Sequence, residues 1–314
     1  MAPMDYLLLL AGIAGLWLGT ELTVGGALAI ARRHQLSEFF VGLVILSIGS
    51  DLPEIAVAVD IGIKGLLGND VSGVVVGTSI GSVVAQIGFV LGLAGVISYL
   101  TLPRSFVIRH GAVLIGATVL LYVVALDGTV SRFEGITLIS AYALYVMALM
   151  NGETAPEEEP GQLAGGGIRS WFVLVVGLGA VTWSTEITVT SVVNIAQALD
   201  ISEAIISVLI IGLGTSLPEL SISISAILKK KAHMSVGNII GSNILDTLLP
   251  VGIAAAISSV AFEQQFLHFD LPFILLLTFV VLAFFYARRG VKRPQGLVIL
   301  ALYFAFVAVK IMQF

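Results

Sequence analysis

The chain contains no cysteine, which excludes disulfides, thiolate metal sites and cysteine nucleophiles. Charge is scarce too: Asp, Glu, Lys and Arg make up 11% of the 314 residues and 58% are hydrophobic. A soluble domain carries about a quarter charged residues, so this composition belongs in lipid. No basic run suggests nucleic-acid binding. The formal charge of -5 says little about surface partners, because several of the acids lie inside apolar stretches. The first apolar stretch, 4–31, has no basic residue ahead of it and no small-residue cleavage site at its end, so a retained helix is expected there and not a signal peptide.

What is abundant is apolar sequence long enough to cross a hydrocarbon core of roughly 30 Å. Such runs recur near 4–31, 37–64, 71–98, 104–126, 131–150, 169–198, 202–228, 234–258, 267–287 and 294–313. Nearly all of the chain is therefore expected to be membrane domain. The one extended polar stretch, 151–167, holds Glu153, Glu157, Glu158, Glu159 and Gly165-Gly166-Gly167, and reads as a flexible linker. With ten spans, the loops after odd-numbered spans share one side of the membrane. They carry Arg32, Arg33, Arg104, Arg109, Arg169, Lys229, Lys230, Lys231, Arg288, Arg289, Lys292 and Arg293, whereas Lys64 and Arg132 stand alone on the other side and Lys310 lies near the C-terminus. That bias makes the rich side cytoplasmic and both termini external.

A shift of 165 residues lays Thr20-Glu21-Leu22-Thr23-Val24 on Thr185-Glu186-Ile187-Thr188-Val189, Ser37-Glu38 on Ser202-Glu203, and Gly49-Ser50-Asp51-Leu52-Pro53-Glu54 on Gly214-Thr215-Ser216-Leu217-Pro218-Glu219. After a five-residue difference in the next loop, Ile80-Gly81-Ser82 aligns with Ile240-Gly241-Ser242 and Gln86 with Asp246. The halves are duplicates. Five spans per half is an odd number, so the second half must start from the opposite side and the repeats must be inverted, an arrangement that secondary transporters use to alternate access to a central site. The expected architecture is an all-α membrane protein of ten transmembrane helices: a first five-helix repeat over 1–150, a cytoplasmic acidic and Gly-rich linker over 151–168, and a second repeat over 169–314.

Inside the duplicated motifs, Pro53 cannot donate to the Gly49 carbonyl and its ring clashes with that turn, so the helix is expected to open there. Glu54 follows Ser50 by four and Asp51 by three, which puts all three side chains on one face. Pro218 frees the Gly214 carbonyl in the same way, with Thr215, Ser216 and Glu219 as the matching cluster. Two stripes at i, i+4, i+8 add Thr78, Ser82 and Gln86 from one helix and Asn238, Ser242 and Asp246 from another. Gly73, Gly77 and Gly81, and likewise Gly237 and Gly241, are spaced to let backbones approach closely. For Thr78 and Asn238, packing alone is an equal alternative. Oxygen-only sets of this kind bind hard cations, calcium taking six to eight ligands. A carboxylate near the bilayer centre costs about 2.5–3.5 kcal/mol on insertion scales, which marks Glu54, Asp51, Glu219 and Asp246 as functional candidates.

Glu21 and Glu186 occupy equivalent places in the first and sixth spans and read equally as secondary ion contacts or as anchors for neighbouring threonines. Lys229, Lys230 and Lys231 read as a topology signal. His34, His110, His233 and His268 fall in or near loops without a metal-like partner, and surface positions are expected for them.

The paired Gly-Ser/Thr-x-Leu-Pro-Glu segments, each followed by an Ile-Gly-Ser helix, resemble the two alpha repeats of the calcium/cation antiporter superfamily, most closely its prokaryotic sodium/calcium exchanger branch, over essentially the whole chain. The resemblance implies Glu54 and Glu219 as central calcium ligands, with the hydroxyls of Ser50, Thr215, Ser216, Ser82 and Ser242 around them. It also implies backbone carbonyls one or two turns earlier, here Ser47 and Gly212, and a sliding of the first and sixth helices. Two positions depart from the pattern: Asp51 stands where serine is usual and Gln86 where asparagine is usual. The site therefore holds four acids, Asp51, Glu54, Glu219 and Asp246. Four charges in one dry site repel, so at least one is expected to hold a proton in part of the cycle.

These readings lead to exchange of a divalent cation, Ca2+, against Na+ in the plasma (inner) membrane, with proton/cation antiport through Asp51 and Asp246, or exchange of another cation favoured by the added Asp51 carboxylate, as the alternatives. Inorganic cations and the lipid bilayer are the expected partners, with no resident cofactor. A channel has no need of an inverted pair of broken helices. An intramembrane aspartyl protease built on Asp51 and Asp246 would leave the prolyl glutamates unexplained.

Overall fold

A computed structural model of the protein describes residues 2–69, 71–152, 167–199 and 212–313. Its helices are α1 (Ala2–His34), α2 (Glu38–Ser50), α3 (Leu52–Leu66), α4 (Ser72–Ile97), α5 (Arg104–Val124), α6 (Arg132–Gly152), α7 (Ile168–Ala198), α8 (Leu217–Leu228), α9 (Ala232–Ile257), α10 (Phe266–Arg288) and α11 (Arg293–Gln313). Among the described residues, eight are long and apolar enough to cross a membrane, and α2 with α3 makes a ninth that is bent by 45°. The expected span 202–228 is represented by a single turn, Gly212–Gly214, and by α8, its earlier residues lying outside those described. The linker reading of 151–168 also falls largely outside them.

The bend follows from the sequence. Asp51 leaves helical geometry at φ -90°, ψ 7°, and Pro53 sits in the first turn of α3, where a missing N–H costs nothing. Ser216, the equivalent residue of the second half, adopts φ -99°, ψ 7°, with Pro218 likewise in the first turn of α8. Two related hexapeptides thus make the same break. A wide π-helical turn over Val41–Leu46 leads into the first break, and another over Ala85–Val90 carries Gln86, wide turns being frequent at functional positions.

The centre of the bundle is α9 packed against α2, α3, α4 and α6. Gly237 and Gly241 allow it: a Cβ at Gly241 would stand on the Leu43 carbonyl and 2.7 Å from Ser47 Oγ, and one at Gly237 on the Phe39 carbonyl. Gly73, Gly77 and Gly81 make no comparable backbone contact among the described residues; the equivalent of α2 in the second half, 202–211, lies outside them.

On one flank, α1 and α7 pack along their length through glycines. A Cβ at Gly19 would lie 2.9 Å from Val181 N, one at Gly26 2.8 Å from Leu174 N, and Gly12 meets Ser184 and Thr188. Residue numbers rise along α1 as they fall along α7, so these equivalent helices run antiparallel. The contact is reciprocal: Gly12 on Thr188 and Gly177 on Thr23 are the same pair under the 165-residue shift.

At the other flank, the buried Asp270 of α10 and the partly buried Lys310 of α11 form an ion pair at 3.1 Å. A short antiparallel ladder, β1 (Thr129–Val130) with β2 (Val260–Ala261), ties the loops before α6 and α10. One expectation fails here. His110 is not a surface residue: it is buried within α5 against Phe39 and Phe106, with Nδ1 2.9 Å from the Tyr145 hydroxyl. Its neighbours Arg104 and Arg109 made the helix start look like a loop, yet α5 turns this face inward. His34, His233 and His268 are exposed as expected.

Candidate cation site

The two breaks meet at mid-bundle beside α4 and α9. Asp51 and Glu219 are completely buried and Asp246 is 1% exposed, while Glu54 is half-buried with Oε2 enclosed. Asp51 feels the charges of Asp246, Glu219 and Glu54, and Glu54 those of Glu219 and Asp246, so the four acids form one electrostatic cluster.

Hydrogen bonds stitch the halves together around this cluster. The hydroxyls of Ser50 and Ser242 both donate to Asp51 Oδ1 at 3.2 Å. Ser82 Oγ donates to Thr215 Oγ1 at 3.2 Å. Gln86 Nε2 donates to Asp246 Oδ2 at 2.9 Å, so the two residues that the repeat alignment equates touch each other. The carbonyl of Ser47 accepts the Asp51 N–H at 3.0 Å and lies 3.2 Å from the Ser50 hydroxyl, whose single proton is shared between this carbonyl and Asp51 Oδ1. Gly212 opens the turn that ends just before Thr215. Ser47, Ser50, Asp51, Glu54, Gly212, Thr215, Ser216 and Glu219 lie in or next to the two breaks, and Ser82, Gln86, Ser242 and Asp246 reach them from α4 and α9.

What remains open is oxygen. Asp51 Oδ2, Glu54 Oε2, both carboxylate oxygens of Glu219, Asp246 Oδ1, Gln86 Oε1 and Ser216 Oγ are buried without a hydrogen-bond partner. An unmet buried acceptor costs about 1–3 kcal/mol, more when charged, so a set of this size favours a ligand that takes oxygen. Hard cations do this, taking carboxylate, hydroxyl and amide oxygens alike. Among the described residues no three acids or histidines converge tightly enough to hold a metal by themselves, so the neutral oxygens are needed to complete a shell.

Sequence reasoning missed Ser79 and the reason for its place. Pro250 lies inside α9, four residues after Asp246, and cannot donate to the Asp246 carbonyl. The Ser79 hydroxyl supplies the missing donor, which fixes the backbone that carries the acid. The Asp-x-x-x-Pro spacing was the available signal. Also unforeseen is a cavity of about 270 Å3 that reaches Glu54, Thr78 and Thr215 and is lined on its α7 side by Thr182, Thr185, Glu186 and Val189. Thr78 has a place on this wall, its hydroxyl donating to Val74 O at 2.8 Å, whereas Asn238 bonds Ser223 at 3.3 Å away from it. The equivalent glutamate Glu21 pairs with Lys229 at 2.9 Å, and Lys231 pairs with Glu38, so two of the three lysines read as a topology signal hold acids as well.

A bundle of membrane-spanning helices with two broken helices, close helix crossings and a cage of buried oxygens drawn from both breaks is the construction of a membrane ion transporter. Comparison with known proteins narrows this. The sequence profile described as sodium/calcium exchanger protein matches residues 4–151 and 169–312, and the chain belongs to that family. Sodium/calcium exchanger MaX1 of Methanosarcina acetivorans is 26% identical, covering 98% of this chain and 99% of its own. An uncharacterized membrane protein of Methanocaldococcus jannaschii is 31% identical over 95% of both chains. The solved structure of the sodium-calcium exchanger NCX_Mj soaked with zero Na+ and Ca2+ superposes with a TM-score of 0.82 at 27% identity, covering 98% of this chain and 99% of that one.

Proposed function

We propose that the protein exchanges Ca2+ for Na+ by alternating access, with ten spans arranged as two inverted five-helix repeats joined by the 151–168 linker. The observation that carries this is the set of unpartnered buried oxygens contributed by both breaks to one place. Inversion is supported by the antiparallel, reciprocal packing of α1 and α7, and by the direct bond between the equivalent residues Gln86 and Asp246. A pseudo-two-fold axis in the membrane plane passes between such pairs.

Glu54 and Glu219 are the central ligands in this reading, and Asp51 and Asp246 flank them. Ser50, Thr215, Ser216, Ser82, Ser242 and the Gln86 oxygen complete the shells, with the Ser47 and Gly212 carbonyls at the periphery. The Ser47 carbonyl can join only by sharing with the donors it already accepts. Because Ca2+ and Na+ draw on the same oxygens they compete, and an empty cage of acids is hard to move through lipid, so one ion must replace the other.

Competition is measurable on the purified protein. Ligand at 100 times its Kd stabilises a folded protein by about 2.7 kcal/mol. Ca2+ is expected to raise the thermal midpoint and Na+ to reduce that gain by displacing it. A Ca2+ shift that Na+ leaves untouched contradicts a shared site.

A further inference from the structure

The two halves of the chain are not in the same arrangement. On one side of the site, Val24 of α1 and Ile222 of α8 are fully buried in one apolar cluster that closes α1 onto α8. The 165-residue shift carries Val24 onto Val189 and Ile222 onto Val57, and these two line the cavity instead. Beside the closed contact, Lys229 Nζ at the end of α8 stands 2.9 Å from the Glu21 carboxylate and 3.4 Å from the Glu21 carbonyl. The same shift carries Glu21 onto Glu186 and relates Lys229 to Lys64 at the end of α3. Among the described residues Glu186 has no ion-pair partner and faces the cavity, while Lys64 pairs with Asp60 of its own helix at 2.6 Å. The neighbouring threonines differ likewise: the Thr20 hydroxyl bonds the Leu16 and Trp17 carbonyls at 2.9 Å, whereas that of Thr185 is unpartnered.

We infer that Glu186 and Lys64 form the latch of the opposite-facing state, taking there the place that Glu21 and Lys229 hold here, so that one cross-repeat ion pair closes each side of the site in turn. This rests on the inverted-repeat reading above and adds to it two charge pairs. Lys64 is readily available, since an exposed i,i+4 pair such as Asp60–Lys64 contributes little to stability. Because α1 and α7 touch backbone to backbone at Gly19 and Gly26, the inference has them shift together, which makes the latches exclude one another. Drawing α7 onto α3 therefore lifts α1 from α8. While unlatched, Glu186 adds a carboxylate to the cavity wall that reaches Glu54, where it attracts cations; once bonded to Lys64 that attraction is neutralised.

The absence of cysteine in the chain makes the test direct. A Glu–Lys contact spans more than the roughly 7 Å Cα separation that a direct disulfide tolerates, so a bis-methanethiosulfonate with a two-carbon spacer is the reagent of choice. The full-length double variants E21C/K229C and E186C/K64C are treated in proteoliposomes, with E21C/K64C, whose residues pair with other partners in this structure and in neither latch with each other, as control. Both latch pairs are expected to give linked peptides by mass spectrometry, each link is expected to stop exchange, and reduction to restore it. E186C/K64C linking no more than the control under every Na+ and Ca2+ condition, while E21C/K229C links, overturns the inference. A milder variant guards against misfolding: in Lys64→Gln, labelling of T185C from the cavity is expected to rise, and unchanged labelling also overturns it. Linking does not depend on which ions cross, so a protein that links as expected but fails to exchange Ca2+ for Na+ refutes the functional reading and leaves the latch standing.

Discussion

Glu219 is the acid with the most at stake, being completely buried with both oxygens unpartnered. Its removal should therefore cost binding before it costs folding. In Glu219→Ala and Glu54→Ala, the Ca2+-dependent rise in thermal midpoint is expected to vanish while the ion-free midpoint stays close to wild type or rises, as an uncompensated buried charge is gone. A Ca2+ shift of wild-type size in either variant would remove that residue from the ligand set. Asp51 was legible as an unusual acid, but its setting was not: two hydroxyls, from Ser50 and from the other half's Ser242, converge on one oxygen and leave the second open. Asp51→Ser is expected to keep the fold and change the Na+ dependence of Ca2+ uptake; unchanged dependence would place the carboxylate outside the transport site. Hydroxyl partners of this kind arise between helices distant in sequence, where no local spacing announces them. The same holds for Ser79, whose role appears only once Pro250 is seen to strip the Asp246 carbonyl of its donor.

The helices themselves were readable because lipid forces backbone groups to bond within the segment, so apolar length and charged breaks mark each span. The breaks at Asp51 and Ser216 were readable for a local reason, a proline with a fixed consequence four residues back. Less visible was which face of a helix turns inward. α5 begins with Arg104 and Arg109, yet buries His110 between aromatic rings. Lys310, which counts as a terminal charge in sequence, is the partly buried partner of the buried Asp270. Breaking a buried pair by removing one charge costs about 3–5 kcal/mol. Asp270→Asn is accordingly expected to lower the thermal midpoint without altering the ratio of Na+ to Ca2+ effects, and a change in that ratio would tie α10 and α11 to the site. Where α9 crosses α2, Gly241→Val would drive a side chain into the Leu43 carbonyl and Ser47. Loss of folded protein is expected, read as the monodisperse fraction after detergent extraction.

For the whole molecule, the proposed mechanism rests on duplication: two related halves, with α1 and α7 packed antiparallel, hold a single site in two unequal settings. Here one setting is sealed by Val24, Ile222 and the Glu21–Lys229 pair, and the other opens on the cavity below Glu186. Duplication was plain in the sequence. The inequality was not, because it belongs to one conformation and not to the chain. An exchanger of this construction gains its driving force from the competing ion, which the directest experiment varies alone. Ca2+ uptake into proteoliposomes is followed under an outward Na+ gradient and, separately, under a pH gradient with Na+ absent. Uptake that rises with the Na+ gradient and collapses when it is dissipated is the expected result; uptake that ignores Na+ and follows the pH gradient would contradict sodium/calcium exchange.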